Sequence, residues 1–195
     1  MPGSSPEPFA HFGSWLVEAA AREARWSNVM TVATATPDGR PSSRAVVLTG
    51  WDERGLVFCT DDRSRKSAEL AANPSVAAVF LWPGGQRQVR VEGRVAPVSD
   101  EESDQNFAAT SRPARLAVWA ARQGEVLADR SVLEQGWKEA DDHYQEEVPR
   151  PPWWRGYRLE PHAFEFWEAS PDGLHDRRRY ERLDNGTWRL ERLAP

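Results

Sequence analysis

Three cations and a serine, the run Arg63–Lys66, stand at the start of a predicted helix over Ser64–Asn73 that Pro74 ends. Cations in a first helical turn oppose the positive end of the helix dipole, at a cost of about 0.3–1 kcal/mol each. Free backbone N–H groups, a capping hydroxyl and several cations together suit a phosphate. Solvated cations paired with Asp61 and Asp62 would give the same pattern, so both interpretations stay open.

Two further polar side chains lie on predicted strands. Alternation along the segment Arg44–Thr49 puts Arg44 on one face with Val46 and Leu48. Such an arginine is commonly an edge charge that reaches water. Gln88 lies on the face opposite Val89, where it could hydrogen-bond a heterocycle or simply meet solvent.

The chain offers no motif for hydrolysis or for a metal. In Leu174–Arg177 the strand period places His175 and Arg177 on one side and Asp176 on the other, which argues against a His–Asp catalytic pair. Cys59 is the single cysteine, and the four histidines are scattered, so neither a disulfide nor a zinc site is expected. Glycine-rich nucleotide motifs and the Gly-x-Ser-x-Gly elbow are absent from the sequence.

The elements that must position these residues are mostly short strands. A helix is predicted from Ser14, as its N-cap, to about Trp26, and the stretch Ser99–Gln145 is predicted to be helical. The sequence therefore predicts a mainly β fold with helices: a small barrel in one domain over residues 13–195, after a flexible segment over residues 1–12. The predicted strands are Val29–Ala35, Arg44–Thr49, Leu56–Thr60, Val76–Trp82, Gln86–Val95, Tyr157–Glu168, Leu174–Leu183 and Thr187–Leu193.

Composition narrows the class of protein. The 195 residues carry 25 Lys+Arg and 30 Asp+Glu, a net charge of −5, which argues against nucleic-acid binding. The apolar runs fall short of the ~20 residues of a membrane span, and the first residues lack the pattern of a secretory signal. A cytoplasmic protein without a membrane partner is expected. Lys66 and Lys138 are the only lysines in a chain that otherwise uses arginine.

These segments together resemble the pyridoxamine 5′-phosphate oxidase family. The resemblance runs in order from about residue 27 to the last residue. It implies an FMN-binding split β-barrel that works as a homodimer with flavin at the interface. The segments that carry it are Arg44-x-Val46-Val47-Leu48, Val57-Phe58-x-Thr60, Ser64-Arg65-Lys66, Arg87-Gln88-Val89, Trp119-x-x-x-Gln123, Glu165-Phe166-Trp167, Leu174-His175-Asp176-Arg177 and Arg192-Leu193-Ala194-Pro195.

The resemblance also implies the cofactor site. Arg44, Arg65 and Lys66 would meet the FMN phosphate and ribityl chain, which supplies the anion that the helix start suggests. The remaining FMN-binding residues divide into two sets. Val46, Val47, Leu48, Cys59 and Thr60 would line the isoalloxazine, with Cys59 where the family commonly has Tyr. Gln88, Gln123, Gly124, Trp167 and Arg177 would complete the flavin shell, with Gly124 in place of a usual Ser.

The substrate side departs from the family pattern. Relatives that oxidise phosphorylated vitamers hold the substrate phosphate with Lys, Tyr, Arg and Ser. An ungapped alignment gives Thr49, Asn106, Thr110 and Ala114 at these positions, and Gly173 replaces the Arg before Leu-His-Asp-Arg. Sliding Ser111-Arg112-Pro113 by two residues would restore one arginine but would turn later residues to another helix face. A phosphorylated substrate is expected to bind poorly without cationic partners.

The leading hypothesis is an FMN-dependent oxidase that uses O₂ and acts on a neutral or aromatic substrate positioned by His175 and Arg177. The sequence pattern is similar to that of the family branch that oxidises dihydrophenazine precursors in secondary metabolism. One alternative is a true pyridoxamine/pyridoxine phosphate oxidase with a displaced phosphate site built from Arg112 or Arg115. Others are a flavin-binding protein without turnover and a protein that uses a deazaflavin.

Overall fold

The structure, a computed structural model, describes residues 8–23 and 25–195. This part of the chain forms five α-helices, a short 3-10 helix over Pro83–Gly85 and eight strands. The helices are α1 (Pro8–Arg22), α2 (Arg65–Ala72), α3 (Asp100–Ala108), α4 (Arg112–Ala120) and α5 (Arg130–His143). The strands are β1 (Val29–Ala35), β2 (Pro41–Asp52), β3 (Gly55–Asp61), β4 (Ser75–Trp82), β5 (Arg87–Pro97), β6 (Trp154–Glu168), β7 (Asp176–Arg182) and β8 (Trp188–Arg192).

The strands form one antiparallel sheet in the order β3-β2-β1-β4-β5-β6-β7-β8. A further pairing between β3 and β6 closes the first six strands into a barrel, and β7 and β8 extend the sheet beyond it. Antiparallel strands and short turns suit such closure, which removes exposed sheet edges. The predicted barrel with helices around it is confirmed. No helix in the described residues is both long and apolar enough to cross a membrane.

Helix α1 begins at Pro8, so the predicted start at Ser14 is wrong. Phe9 and Phe12 extend the apolar stripe of the helix toward its N-terminus, and both are buried in the core. Proline is well tolerated at the first position of a helix, because the N–H it lacks would be unpaired there. Residues 8–12 therefore belong to α1 and not to the flexible segment predicted over residues 1–12; residues 1–7 and Ala24 lie outside the described residues.

Two local features of the barrel shape the candidate site. Helix α2 has Ser64 as N-cap and Asn73 as C-cap, in agreement with the helix predicted over Ser64–Asn73. Strand β2 is longer than predicted, and its pairing with β3 shifts register between Leu48 and Gly50. Thr49 is therefore the extra residue of a β-bulge, a feature that bends a strand and re-aims its side chains.

The core fills the barrel and the space under α1. Its largest fully buried side chains include Trp82, Phe12, Phe58, Phe80, Phe164 and Phe166. Phe12 has no exposed surface, and its ring makes edge contacts with Trp51 at 5.5 Å and Phe80 at 5.1 Å between centroids. A second, smaller cluster joins α3, α4 and α5 through Phe107, Leu116, Ala140 and Val148.

Replacing Phe12 by alanine should lower the free energy of unfolding by about 3–5 kcal/mol, because the substitution leaves a cavity in a closed aromatic cluster. Chemical denaturation measures this loss. Val17 lies on the same helix with 71% of its surface exposed, so Val17→Ala is the control and should change stability by less than about 0.5 kcal/mol. Equal small effects of both substitutions would mean that the start of α1 does not belong to the core.

Candidate functional site

The Lys66 ammonium is buried among neutral oxygens. Its Nζ donates to Thr60 Oγ1 and Gln123 Oε1, both at 2.6 Å, and to Ser64 Oγ at 3.2 Å. No carboxylate in the described residues lies within ion-pair distance of Nζ. Burial, with the nearby Arg44 guanidinium, lowers the pKa of Lys66 to about 8. Three parts of the chain thus converge on a cation that forms no ion pair with any of residues 8–23 and 25–195.

The Arg44 guanidinium is held inside the end of the barrel. It donates to Thr34 Oγ1 at 2.7 Å and Ser42 Oγ at 2.6 Å, and Glu69 Oε2 lies 3.5 Å away. Hydrogen bonds from Ser42 and Thr34, together with the Arg65 guanidinium, lower the pKa of Glu69 to about 2. Sequence reasoning missed Thr34, Ser42 and Glu69. The alternation that places Ser42 on the face of Arg44 was the available signal.

The three cations at the start of α2 divide between the two interpretations of the sequence, a surface ion pair and a phosphate site. Arg63 pairs with Asp61 at 2.7 Å, as expected of a surface ion pair. Arg65 pairs with Glu69 at 2.7 Å while 70% of its side chain stays exposed, so it remains accessible to a ligand. Lys66 has no such partner. The carboxylate of Asp62 accepts hydrogen bonds from other residues, such as Tyr157 at 2.6 Å.

A cavity of about 420 Å³ opens beside these cations. Arg122 donates to the Arg63 carbonyl at 2.6 Å and so fixes the loop after α4 against the start of α2. Gly124 in this loop has φ +83°, a left-handed conformation that disfavours the serine usual in the family. The cavity is lined by Arg63, Ser64, Arg65, Ala68, Arg122, Gln123, Gly124 and Glu125.

The strand residues expected to line the isoalloxazine face different ways. Leu48 is buried in the core and Val46 packs against it, so neither side chain is turned outward. Val47 is 46% exposed. Cys59 is partly exposed beside Thr49, and burial raises the pKa of its thiol. A flavin on this side could therefore meet the Val47 side chain, but only the backbone of Val46 and Leu48.

A second group of predicted site residues lies side by side across β5, β6 and β7. Gln88 pairs with Trp167, which pairs in turn with Arg177. Directly paired residues of antiparallel strands share a sheet face. His175 precedes β7, so its predicted place within a strand over Leu174–Leu183 is wrong. Its ring lies 4.9 Å from that of Trp167. Its Nδ1 accepts a hydrogen bond from the Ser170 N–H at 3.1 Å, and Asp176 is not its partner, as predicted.

Arg177 is fixed by groups on both sides. Its Nη2 and Nε donate to Glu165 Oε1 at 2.8 and 3.1 Å, and its Nη1 donates to the Ala194 carbonyl at 2.8 Å. Glu165 appeared in the sequence only as part of a motif, and its contact with Arg177 was not predicted. The pattern Glu165-x-Trp167 already placed its side chain on the face of Trp167.

The two groups lie apart within one copy of the chain. Cys59 and Thr60 pair with Gly156 and Arg155 near the start of β6, whereas Trp167 lies near its end. At about 3.3 Å per residue, roughly 35 Å of strand separates Gly156 from Trp167. That is more than an FMN molecule can span, so the predicted residues do not form one site within a single copy.

The predicted substrate-side residues surround the bulge of β2 without a free cation. Thr49 donates to the Val57 carbonyl at 3.2 Å, and Asn106 Nδ2 donates to the Glu102 carbonyl at 2.7 Å. Thr110 donates to the Asn106 carbonyl at 3.1 Å, and Ala114 is exposed. Thr110 thus contacts Asn106, whose Oδ1 lies 3.9 Å from the position of a Cβ at Gly50, the residue after Thr49, while Ala114 adds no polar group.

The arginines of the displaced-phosphate alternative differ in their contacts. Arg112 donates to Asp141 Oδ1 and the Tyr144 carbonyl, both at 2.6 Å, so its guanidinium is engaged by α5 and the residue after it. Arg115 is half-buried, and its Nε has no hydrogen-bond partner in the described residues. Arg112 is therefore poorly placed to bind a substrate phosphate.

Comparison with known proteins identifies the family. Residues 16–144 match the family model described as pyridoxamine 5′-phosphate oxidase, and residues 154–195 match the pyridoxine 5′-phosphate oxidase C-terminal dimerisation region. The chain belongs to the pyridoxamine 5′-phosphate oxidase family. This is a family of oxidoreductases, and the match to a dimerisation region indicates a homodimer.

Members of the pyridoxamine 5′-phosphate oxidase family match nearly the whole chain. A pyridoxine/pyridoxamine 5′-phosphate oxidase of Nostoc punctiforme is 48% identical over 189 residues, 96% of this chain and 88% of the relative. One from Burkholderia vietnamiensis is 46% identical over 194 residues, 98% and 91% of the two chains. PhzG from Burkholderia lata, solved with tetrahydrophenazine-1-carboxylic acid, has a TM-score of 0.92 at 36% identity and covers 100% of this chain and 97% of its own. This similarity supports the suspected branch.

Family membership supports FMN as the cofactor, and the donor set fits it. A flavin phosphate is a dianion, and the buried Lys66 ammonium lacks a carboxylate partner beside a cavity of suitable size. Arg65 adds an accessible guanidinium. Guanidinium and ammonium groups are the usual protein partners of a phosphate. These residues would hold the phosphate end of FMN.

The lowered pKa of Lys66 predicts how the stability of the cofactor-free protein changes with pH. Between pH values of about 8 and 10.5 the folded protein binds fewer protons at Lys66 than the unfolded chain does, so stability from this group rises with pH there. Denaturation across this range should show the rise in the wild type and in exposed Lys138→Met, and a flatter profile in Lys66→Met. Identical profiles for the two variants would contradict it.

Proposed function

We propose that the protein is an FMN-dependent oxidase that acts on a small, unphosphorylated aromatic or heterocyclic substrate, such as a phenazine precursor. One contrast carries the proposal. Lys66 and Arg65 keep accessible or uncompensated cations at the expected flavin phosphate, whereas Thr49, Asn106, Thr110 and Ala114 provide none at the expected substrate phosphate. A phosphate without cationic partners loses several kcal/mol on leaving water.

When bound, FMN would supply the redox chemistry, a two-electron, two-proton oxidation of the substrate coupled to the reduction of O₂ to H₂O₂. The protein supplies binding and orientation. The phosphate and the ribityl chain would be held by Lys66, Arg65 and Arg44. Thr60 and Gln123, which share hydrogen bonds with Lys66, would keep its ammonium in place. Cys59 and Val47 would border the ring.

The second copy of the chain completes the site in this proposal. Gln88, Trp167 and Arg177 are too far along β6 from Cys59 and Thr60 for one flavin to reach both groups of one copy. Trp167 and Arg177 fall within the part that matches a dimerisation region. A flavin at the interface would meet the Lys66 group of one protomer and the Trp167 group of its partner.

His175 and Arg177 would orient the substrate against the ring. Because His175 Nδ1 accepts the Ser170 N–H, a neutral ring carries its hydrogen on Nε2 and can donate it to a substrate acceptor. Glu165 and the Ala194 carbonyl already hold the Arg177 side chain, so it would lose little conformational freedom when substrate binds. Neither residue needs to change its own protein contacts to present a donor.

A second candidate is a genuine pyridoxamine/pyridoxine 5′-phosphate oxidase. The identity of 48% to a relative of that name over 96% of this chain favours it. It needs a cation near the substrate phosphate. Since Arg112 is engaged by Asp141 and the Tyr144 carbonyl, Arg115 would have to supply that charge.

A complementation experiment tests the shared site. Lys66→Met and Arg177→Ala should each weaken FMN binding, because each removes a cation from both sites of a homodimer. In a heterodimer of the two variants, one site would carry both substitutions and the other neither. Titration of flavin fluorescence should then give one tight site per heterodimer. If no tight site returns on co-expression, the two groups do not meet across the interface.

A substrate panel tests the reaction. Unphosphorylated heterocyclic donors should bleach the bound flavin without air, and colour and H₂O₂ should appear when air is admitted. Thr49→Lys should raise the affinity for pyridoxamine 5′-phosphate by about tenfold or more, since a new ion pair of about 1.4 kcal/mol would suffice. Thr187→Lys, on the exposed turn before β8, is the control. Efficient formation of pyridoxal phosphate by the wild type would favour the second candidate.

A further inference from the structure

The hydroxyl groups around the β2 bulge use their hydrogens inside the protein. The Thr49 hydroxyl donates to the Val57 carbonyl, and the Thr110 hydroxyl donates to the Asn106 carbonyl. A hydroxyl that donates its one hydrogen has only lone pairs left to offer. Asn106 gives one of its two Nδ2 hydrogens to the Glu102 carbonyl, which turns the amide nitrogen toward the backbone of α3.

The amide oxygen of Asn106 faces the strand. Its Oδ1 lies 3.9 Å from the position that a Cβ would take at Gly50, the residue after the bulge. Gly50, Val57 and Asn106 line one cavity of about 270 Å³. Because Gly50 has no side chain, the space between the bulge and α3 stays open, and an acceptor atom borders it.

The charges at this cavity also disfavour an anion. Its lining includes two carboxylates, Asp52 and Glu102, and one guanidinium, Arg158. Arg158 donates to Asp52 at 2.7 Å and also to Glu102, so it is already neutralised. Arg54 binds Asp52 from the solvent side. No cation that lines the cavity within residues 8–23 and 25–195 is left for a ligand.

We infer that the substrate group that enters between Thr49 and Asn106 is a hydrogen-bond donor, such as a hydroxyl, an amine or a ring N–H. A phosphate, a carboxylate or an ether oxygen would place acceptor against acceptor there and would leave both without a partner. This inference rests on the proposed function, since it takes these residues as the substrate side of the flavin. It adds a requirement to the proposal, because a substrate without phosphate need not carry a donor.

Three ligands that differ at one group test the requirement. The first is pyridoxamine, which carries a hydroxymethyl group. The second is the methyl ether of that hydroxymethyl group, and the third is its phosphate ester, pyridoxamine 5′-phosphate. Binding to the FMN-loaded protein without air is measured from the change in flavin absorbance. Pyridoxamine should bind at least about tenfold more tightly than the ether, the value of one hydrogen bond of about 1.4 kcal/mol. Equal or tighter binding of the ether or the phosphate would overturn the inference.

Variants assign the preference to these residues. Thr49→Val removes the acceptor at nearly constant shape and should reduce the preference for pyridoxamine over its ether, whereas Thr49→Ser should keep it. Asn106→Leu removes the other acceptor and serves as the second test if the bulge does not tolerate valine. Thr187→Val, at an exposed turn, is the matched control. An unchanged preference in both Thr49→Val and Asn106→Leu would contradict the assignment.

The outcomes separate this inference from the proposed function. If pyridoxamine and its ether bind equally and both reduce the flavin, the oxidase proposal stands and the donor requirement fails. If the protein binds FMN but no unphosphorylated ligand perturbs or reduces it, the proposed function fails, and the inference fails with it. Tight binding of pyridoxamine alone supports both.

Discussion

The site depends on a buried ammonium, that of Lys66, with which no carboxylate in the described part of the chain forms an ion pair. Lys66 is surrounded by the hydroxyls of Thr60 and Ser64 and the amide oxygen of Gln123. Such dipoles replace part of the lost hydration, but a buried charge without a counter-ion remains costly. The lowered pKa is the measure of that cost. A bound phosphate would remove it, so the same arrangement that destabilises the empty protein favours the anion.

The two neighbouring arginines, Arg44 and Arg65, differ in how far protein groups enclose them. This difference determines which of them a ligand can reach. Glu69 accepts hydrogen bonds from Thr34 and Ser42 and interacts with both Arg44 and Arg65. The Glu69 carboxylate balances the charge of the Arg44 guanidinium and orients the Arg65 guanidinium through an ion pair. Arg44 is thereby a rigid part of the barrel end, whereas Arg65 stays largely exposed. Positive charge that a ligand can use is therefore concentrated at Lys66 and Arg65.

Much of the fold could be predicted from the sequence, because alternation and turn residues act locally. The bounds of α2 followed from Ser64 and Pro74, and those of the neighbouring strands β3 and β4 from runs of apolar residues. The start of α1 did not, since its first two turns, which contain Pro8 and Gly13, form a helix through the packing of Phe9 and Phe12 in the core. Tertiary contact decides such segments, and local propensity does not.

The candidate site was harder to predict than the fold. Motifs named Arg44, Lys66 and Trp167, but the partners that orient them come from distant parts of the chain. Glu69 lies on α2 while its hydrogen-bond donor Thr34 lies on β1. The alternation of residue types could not predict the bulge at Thr49, because the extra residue shows only in the pairing of β2 with β3. Spacing along one segment cannot supply contacts of this kind.

A second bulge explains how one strand can serve both halves of the site. Strand β6 shifts register against β5 at Glu92 and Gly93, where His162 is the unpaired residue. Before the shift, odd-numbered Leu159 faces the core; after it, even-numbered Phe164 and Phe166 do. Without the extra residue the alternation would continue unbroken, and Trp167 would point into the barrel with Leu159. The bulge therefore turns Trp167 outward, beside Gln88 and Arg177. The first half of the same strand pairs with β3 at Thr60, a hydrogen-bond partner of Lys66.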